Sequence, residues 1–255
     1  MVSPKAKRRF SQNFLCDPLI VEEIVEAGSF SLHDRVIEIG PGYGALTCEL
    51  LKKVSALTAI EVDRDAVHYL RSRFAAERLR VIEADCLDVN FSHFGVSLRL
   101  LGNLPYHIST PILFHVDSKI ECIRDAIFML QREVVDRIVA APGSAEYGKL
   151  SITLQLGWEL EKLFDVPPEA FQPVPKVWSS ILHLRPRAKP YSVNRATFQR
   201  IVFGAFSKRR KTLRNALKGI VSIEQFMLAD IDPARRPETL SVDDYVRLSN
   251  VVFKD

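Results

Sequence analysis

The sequence predicts an α/β fold: a doubly wound, Rossmann-like sheet of parallel strands, with a small all-helical domain at the C-terminal end. Three observations predict it. Short apolar strands alternate with helix-patterned segments through residues 35–130, the order that builds a parallel sheet covered on both faces. The strand at 35–39 runs directly into Gly40-Pro41-Gly42-Tyr43-Gly44 and then a helix, as in nucleotide-binding folds. Polar and acidic residues mark the carboxyl ends of successive strands, where such sheets bind ligands. The 255 residues suffice for one large domain and one small one. The expected division is 1–188 and 189–255, after a linker at 185–190 rich in Arg and Pro.

Each element has a local cause. Asp17-Pro18 sets an N-cap before a proline at the first helical position. Ile20, Val21, Ile24 and Val25 follow at helical spacing, and Gly28 closes the segment. The preceding Phe10-Ser11-Gln12-Asn13-Phe14-Leu15 has neither a helical nor a strand pattern, and its two amides between aromatics suit contact with a ligand. After the glycine turn come a helix over 45–53, a strand over 56–62, a helix over 64–76 and a strand over 80–83. The apolar strand at 98–101 leads into Asn103-Leu104-Pro105-Tyr106 and a helix from Ser109. Further on, a strand is expected over 126–130, helices after Gln131-Arg132-Glu133 and over 148–157, and a strand over 158–166. A proline-stiffened loop at 171–177 precedes a strand at 178–184, and the pattern is helical from 191 on.

Composition narrows the function classes. Hydrophobic residues make up 47% of the chain, enough for a sizeable core. No apolar run approaches the roughly 18 residues of a membrane span, and the basic N-terminus lacks the apolar stretch of a secretory signal. Cys16, Cys48, Cys86 and Cys122 are far apart and form no metal-type pair, as expected of reduced thiols in a cytoplasmic protein that needs no metal. Charge is unevenly placed. Residues 1–14 carry four basic and no acidic residues, and residues 191–255 carry twelve basic and seven acidic. Residues 15–190 carry nineteen basic against twenty-four acidic. A mildly acidic body with basic ends suits a grip on a polyanion; the plainer alternative is solvated termini.

The chemistry centres on Asn103-Leu104-Pro105-Tyr106. Asn103 offers an amide acceptor, Pro105 fixes φ and leaves neighbouring carbonyls free of local pairing, and Tyr106 offers a flat face. Together they suit a flat ring bearing an amine, such as adenine; the alternative is a turn in which Asn and Pro do turn work. The glycine spacing is Gly-x-Gly-x-Gly, the turn is not basic, and no Lys-Ser/Thr follows it, which argues against a triphosphate. Gly40 and Gly42 let the backbone approach a ligand. Glu61, about 20 residues past the glycines, is placed to accept from two ribose hydroxyls, and Asp85 to accept from an adenine amino group. A nucleoside without phosphates, S-adenosylmethionine, fits this set. For Asp63 and Asp85 the alternative is a helix N-cap, and for Glu61 a solvated strand end.

Six blocks in order resemble the ribosomal RNA adenine dimethyltransferases: Ser11-Gln12-Asn13-Phe14-Leu15, Glu38-Ile39-Gly40-Pro41-Gly42, Glu61-Val62-Asp63, Asn103-Leu104-Pro105-Tyr106, Gln131-Arg132-Glu133, and Phe171-x-Pro-x-Pro-Lys-Val-x-Ser-Ser180. Within that family the chain is most similar to the bacterial small-subunit branch. The resemblance implies a class I methyltransferase fold and S-adenosylmethionine held by Asn13, Leu15, Gly40, Glu61, Asp85 and Asn103. It implies two neighbouring target adenines in a hairpin loop near the 3′ end of 16S rRNA, each methylated twice, with a role in ribosome biogenesis. Asn103, Leu104 and Pro105 would hold the amine, Tyr106 would stack on the ring, and Phe171 would sandwich the base from the other side. His107 departs from the family, whose small-subunit members more often carry Asn there; a surface or supporting His is the plainer reading.

The implied chemistry is simple. The adenine amine is a poor nucleophile because its lone pair is delocalised, and accepting hydrogen bonds from its N–H groups localises that pair. A basic run, Ser207-Lys208-Arg209-Arg210-Lys211-Thr212-Leu213-Arg214-Asn215, is expected to form a helix with Lys208 and Lys211 on one face and Arg210 and Arg214 on another. With Arg209 these residues are candidate RNA contacts. The expected partner is the small ribosomal subunit, bound by a monomer. Two alternatives remain: a large-subunit enzyme of the macrolide-resistance type, and a non-catalytic assembly factor.

Overall fold

The computed structural model describes residues 13–254. The basic N-terminal arm and the Ser11-Gln12 pair lie outside the described residues. The strands are β1 (Phe14–Leu15), β2 (Arg35–Ile39), β3 (Leu57–Glu61), β4 (Leu79–Glu83), β5 (Leu98–Asn103), β6 (Ile123–Gln131), β7 (Trp158–Val166), β8 (Phe171–Gln172) and β9 (Ser179–Pro186). The helices are α1 (Pro18–Ala27), α2 (Ala45–Lys53), α3 (Arg64–Arg73), α4 (Ser109–Asp117), α5 (Arg132–Val139), α6 (Lys149–Gly157), α7 (Arg195–Ser207), α8 (Leu213–Ala216), α9 (Ile223–Leu228) and α10 (Val242–Lys254). No helix among the described residues is long and apolar enough to cross a membrane.

Seven strands form one sheet in the order β4-β3-β2-β5-β6-β9-β7. β4, β3, β2, β5 and β6 pair in parallel. β2, β3, β5 and β6 are buried along nearly their whole length, as strands covered on both faces are, whereas the edge strand β4 has Arg80 and Glu83 exposed. The alternating segments pair in parallel as expected, and the sheet becomes mixed at its far end, where β9 runs antiparallel to β6. β7 and β9, neighbours at this end, are joined through a short 3₁₀ turn, Pro168–Ala170, the two residues of β8 and the proline loop, with no crossover helix of the kind parallel neighbours use. The order of strands reverses between β2 and β5, so the crevice outside their carboxyl ends is the ligand position of this fold.

Local signals act as read at α1. Asp17 accepts from the N–H groups of Leu19 and Ile20, with Pro18 at the first helical position. Gly28 caps the helix in the right-handed region, and the left-handed residue is Ser29 (φ 45°). Glycine is needed at 28 for space, since a Cβ there would lie 2.2 Å from the Phe30 ring. The stretch before α1 is not patternless: Phe14 and Leu15 form β1, paired antiparallel with Gln172 and Phe171 of β8.

The chain divides into two compact units. The first is the chain up to Val135 together with Leu160–Pro186. Its core joins Val36, Leu57 and Leu101 of the sheet to Ile24, Leu50 and Leu70 of the covering helices. The second is Asp136–Glu159 with everything from Arg187 on. The linear division at 188/189 falls close to the third crossing, at 186/187, and misses the two that bound residues 136–159. Tyr147, Ile152 and Leu156 belong to the same buried cluster as Phe198, Ile201, Tyr245 and Leu248, so burial assigns residues 136–159 to the helical unit.

Candidate active site

A cavity of about 520 Å³ opens at the carboxyl ends of β2, β3, β4 and β5. Asn13, Leu15, Gly40, Gly42, Glu61, Asp85, Asn103, Leu104, Pro105 and Tyr106 all line it. The glycine turn makes this possible: Gly40, Gly42 and Gly44 take φ of 67°, 55° and 84°, a region that costs other residues energy. A Cβ on Gly102 would sit 2.5 Å from the Ile39 carbonyl oxygen. Glycine there lets the tips of β2 and β5 close up and brings residue 103 beside the turn.

Glu61 ends β3, buried at 6% exposure. Its Oε2 accepts from Gly42 N–H at 3.0 Å, and its Oε1 from Val62 and Asp63 N–H at 2.9 and 2.8 Å. Burial pushes its carboxyl up, and these backbone bonds pull it part of the way back. A carboxylate has about four acceptor positions, so one more donor fits without rearrangement. Asp85 is exposed, and its Oδ1 accepts from Leu87 N–H at 2.9 Å, capping a short 3₁₀ turn. The N-cap position and the cavity position therefore coincide in one residue.

In the Asn103 turn, the side-chain Nδ2 donates to the Asn13 backbone carbonyl at 3.1 Å. Only the amide NH₂ can donate to a carbonyl, so this bond fixes the amide's orientation and leaves Oδ1 as acceptor. Leu104 is buried, with its N–H on the Met129 carbonyl at 3.1 Å. The Pro105 carbonyl takes Ile108 N–H, and the Tyr106 carbonyl takes the Ser109 hydroxyl. Among the described residues, neither the Leu104 carbonyl nor Asn103 Oδ1 accepts a hydrogen bond. The turn thus presents two open acceptors beside an aromatic ring. The Tyr106 hydroxyl is braced at 2.7 Å by Ser179 Oγ. Burial raises the phenol's pKa, and the Ser179 bond opposes that. His107 is exposed at the cavity wall.

Two expectations are corrected. Phe171 does not line the cavity: it is 2% exposed, in the core cluster with Leu15, Ala170 and Ile181. The β1–β8 pairing with Leu15 seats its ring in the core rather than against a base. The basic run is not a continuous helix. α7 stops at Ser207, Lys208–Lys211 form a turn closed by Lys211 N–H on the Lys208 carbonyl, and α8 starts at Leu213. Lys208, Arg210, Lys211 and Arg214 are exposed, whereas Arg209 is half-buried with Nη2 on the Ala145 carbonyl at 2.7 Å.

Sequence reasoning missed several lining residues. Glu38 is 1% exposed in β2, accepts from Thr47 Oγ1 at 2.6 Å, and is pushed up to about 8 by burial, with nearby Glu61 adding to the rise. The available signal was one acid among the apolar Val36, Ile37 and Ile39 of a parallel strand. Phe14, Tyr43 and Tyr69 pack edge to face along the wall, with centroids 5.3 and 5.2 Å apart. Their separation in sequence hid this wall. The lining carries three carboxyl groups, Glu38, Glu61 and Asp85, and one arginine, Arg73, so even with Glu38 protonated it suits a cationic rather than an anionic ligand.

A family model described as ribosomal RNA adenine dimethylase matches residues 3–254. Ribosomal RNA small subunit methyltransferase A of Legionella pneumophila is 51% identical over 249 residues, covering 96% of this chain and 97% of the relative. Its namesake from Bordetella petrii is 47% identical over 254 residues, covering 98% and 96%. Among solved structures, a dimethyladenosine transferase from Plasmodium falciparum superposes with TM-score 0.80 at 26% identity, covering 92% of this chain and 95% of that one. The 23S rRNA methyltransferase ErmE gives TM-score 0.72 at 25% identity, covering 94% and 100%. The chain belongs to the ribosomal RNA adenine dimethylase family.

Proposed function

We propose that this protein transfers methyl groups from S-adenosylmethionine to the exocyclic amines of two adjacent adenosines in a hairpin loop near the 3′ end of 16S rRNA. The product is dimethyladenosine in the small ribosomal subunit, and the step belongs to ribosome biogenesis. The observation that carries the reading is the pair of open acceptors, Asn103 Oδ1 and the Leu104 carbonyl, beside the braced Tyr106 ring. The small-subunit relatives, about half identical over nearly the full chain, favour this substrate over large-subunit rRNA.

The cavity residues fit the cofactor. Glu61 is a buried acceptor for ribose, Asp85 an acceptor for an adenine amino group, and the acidic lining suits the cofactor's positive charge. The glycine turn carries no lysine for phosphates. Bound there, S-adenosylmethionine supplies a methyl group already activated for transfer.

The rest is the work of the chain's own groups. Asn103 Oδ1 and the Leu104 carbonyl accept from the two amine N–H groups, which localises the nitrogen lone pair and aims it. The Asn13 carbonyl keeps the Asn103 amide from flipping. Tyr106 stacks on the extruded base and offsets roughly 1–3 kcal/mol of the unstacking cost. Orientation of reactants supplies up to about 7–11 kcal/mol of barrier lowering. The attacking amine needs no carboxylate base beside it, because its proton is lost after the C–N bond forms.

Mass spectrometry of adenosines tests this directly, after the protein is incubated with labelled cofactor and unmethylated small subunits. Dimethyladenosine at adjacent positions is expected. Asn103→Ala is expected to keep affinity for the subunit and lose methyl transfer at least 100-fold. Transfer retained by that variant would remove Asn103 from the site.

A further inference from the structure

We infer that Trp178, with Lys176 and Arg132, forms a stacking platform for a nucleotide that flanks the target adenine. The inference rests on reading the cavity as the adenine site. Trp178 is 46% exposed, and Val174 and Val177 of the same loop are 58% and 42% exposed. So much apolar surface in water marks an interaction site rather than a packing element.

Its position points to the partner. The next residue, Ser179, is fully buried, and its Oγ lies 2.7 Å from the Tyr106 hydroxyl. Consecutive Cα atoms are about 3.8 Å apart, so the Trp178 backbone lies one residue from the side chain that braces the target-base ring. Successive side chains of an extended segment point to opposite faces: Ser179 turns inward to Tyr106, and Trp178 turns outward. Arg132 N–H holds the Trp178 carbonyl at 2.9 Å, extending the β6–β9 ladder past Gln131 and Ser179. The platform is therefore anchored rather than loose.

Charge points to the class of occupant. Lys176 is exposed, and the Arg132 side chain is half exposed, with Nε 3.5 Å from Asp165. An exposed indole on a loop that also carries an exposed lysine two residues earlier, its carbonyl held by the backbone of an arginine, suits an unstacked base and its phosphate. When one adenine leaves its loop for the cavity, its neighbours lose their stacking partner. Trp178 supplies a replacement on the outward side of the segment whose Ser179 braces Tyr106.

The chain has two tryptophans, and Trp158 is 1% exposed, so solvent-sensitive emission reports Trp178. An RNA hairpin whose loop holds two adjacent adenines is expected to quench that emission and shield it from acrylamide. Trp178→Phe is expected to abolish the RNA-dependent change. In steady-state transfer to unmethylated small subunits, Trp178→Ala is expected to raise KM about tenfold, with kcat and cofactor affinity within twofold. Trp178→Phe should recover most of that loss, which a general folding defect would not allow. No RNA-dependent quenching, an unchanged KM in Trp178→Ala, or a loss confined to kcat would overturn the platform. The quenching experiment needs no turnover, so it decides the platform even if the wild-type protein methylates nothing.

Discussion

Tyr106 carries two groups with separate tasks. Its ring is the stacking face, while its hydroxyl bonds to Ser179 Oγ at 2.7 Å and sets the ring's tilt. A neutral hydrogen bond of this kind contributes about 0.5–1.5 kcal/mol, and stacking on a base about 1–3 kcal/mol. Tyr106→Phe should therefore lower kcat/KM for small subunits by less than about tenfold, and Tyr106→Ala by up to about 100-fold. Both should leave cofactor affinity unchanged. Equal losses in the two variants would move the weight from the ring to the hydroxyl. The same residue-level logic applies to Asn103, whose amide NH₂ is committed to the Asn13 carbonyl. The motif shows that an amide stands at 103, but which of its ends faces the ligand depends on a partner ninety positions earlier.

The turn between α7 and α8 shows how elements divide labour among like charges. Lys208, Arg210, Lys211 and Arg214 are exposed, and Arg209 is tied to the Ala145 carbonyl. Replacing the four exposed residues by Gln should reduce the salt slope of subunit binding by about 3, at roughly 0.7–0.9 for each phosphate no longer neutralised. Cofactor binding should be unaffected. Arg209→Ala should instead lower thermal stability by about 1 kcal/mol, with a smaller change in slope. An unchanged slope in the fourfold variant would exclude this turn as a phosphate-binding element. Parallel strands and the glycine turn were legible because their causes are local: apolar runs, Gly at positive φ, Asp and Pro at a helix start. The break after Ser207 was not legible. α8 is held by Leu213 N–H on the Arg235 carbonyl and Arg214 N–H on the Pro233 carbonyl, partners some twenty residues downstream that no periodicity reveals. The antiparallel β9 and the transfer of residues 136–159 to the helical unit have the same origin in long-range pairing and burial.

At the scale of the whole molecule, two buried carboxyls pull stability in opposite directions with pH. Burial would raise Asp125, but hydrogen bonds from Arg99 at 2.8 and 2.6 Å and from His183 at 3.2 Å outweigh it and hold the group at about 2. Its contribution of about 2 kcal/mol is complete above the unfolded value near 3.8 and is lost as pH falls towards 2. Glu38 behaves oppositely. Its folded value of about 8 lies above its unfolded value of 4.5, so the folded state holds a proton that the unfolded state has released. Stability then declines as pH rises from 4.5 to 8, at up to about 1.4 kcal/mol per unit. Glu61, also raised by burial, adds to that decline. Urea unfolding across pH should show a maximum between about 4 and 5, and Glu38→Gln, which can still accept from Thr47, should flatten the decline above it. A cation seated in the cavity favours the ionised form of Glu38. Cofactor binding below about pH 8 should therefore release a proton, and affinity should rise with pH until Glu38 is fully ionised. Calorimetry of cofactor binding at about pH 7, in two buffers of different ionisation enthalpy, measures that proton. A heat independent of buffer in the wild-type protein, or an equal proton release from Glu38→Gln, would show that the buried acid of β2 does not sense the cofactor's charge.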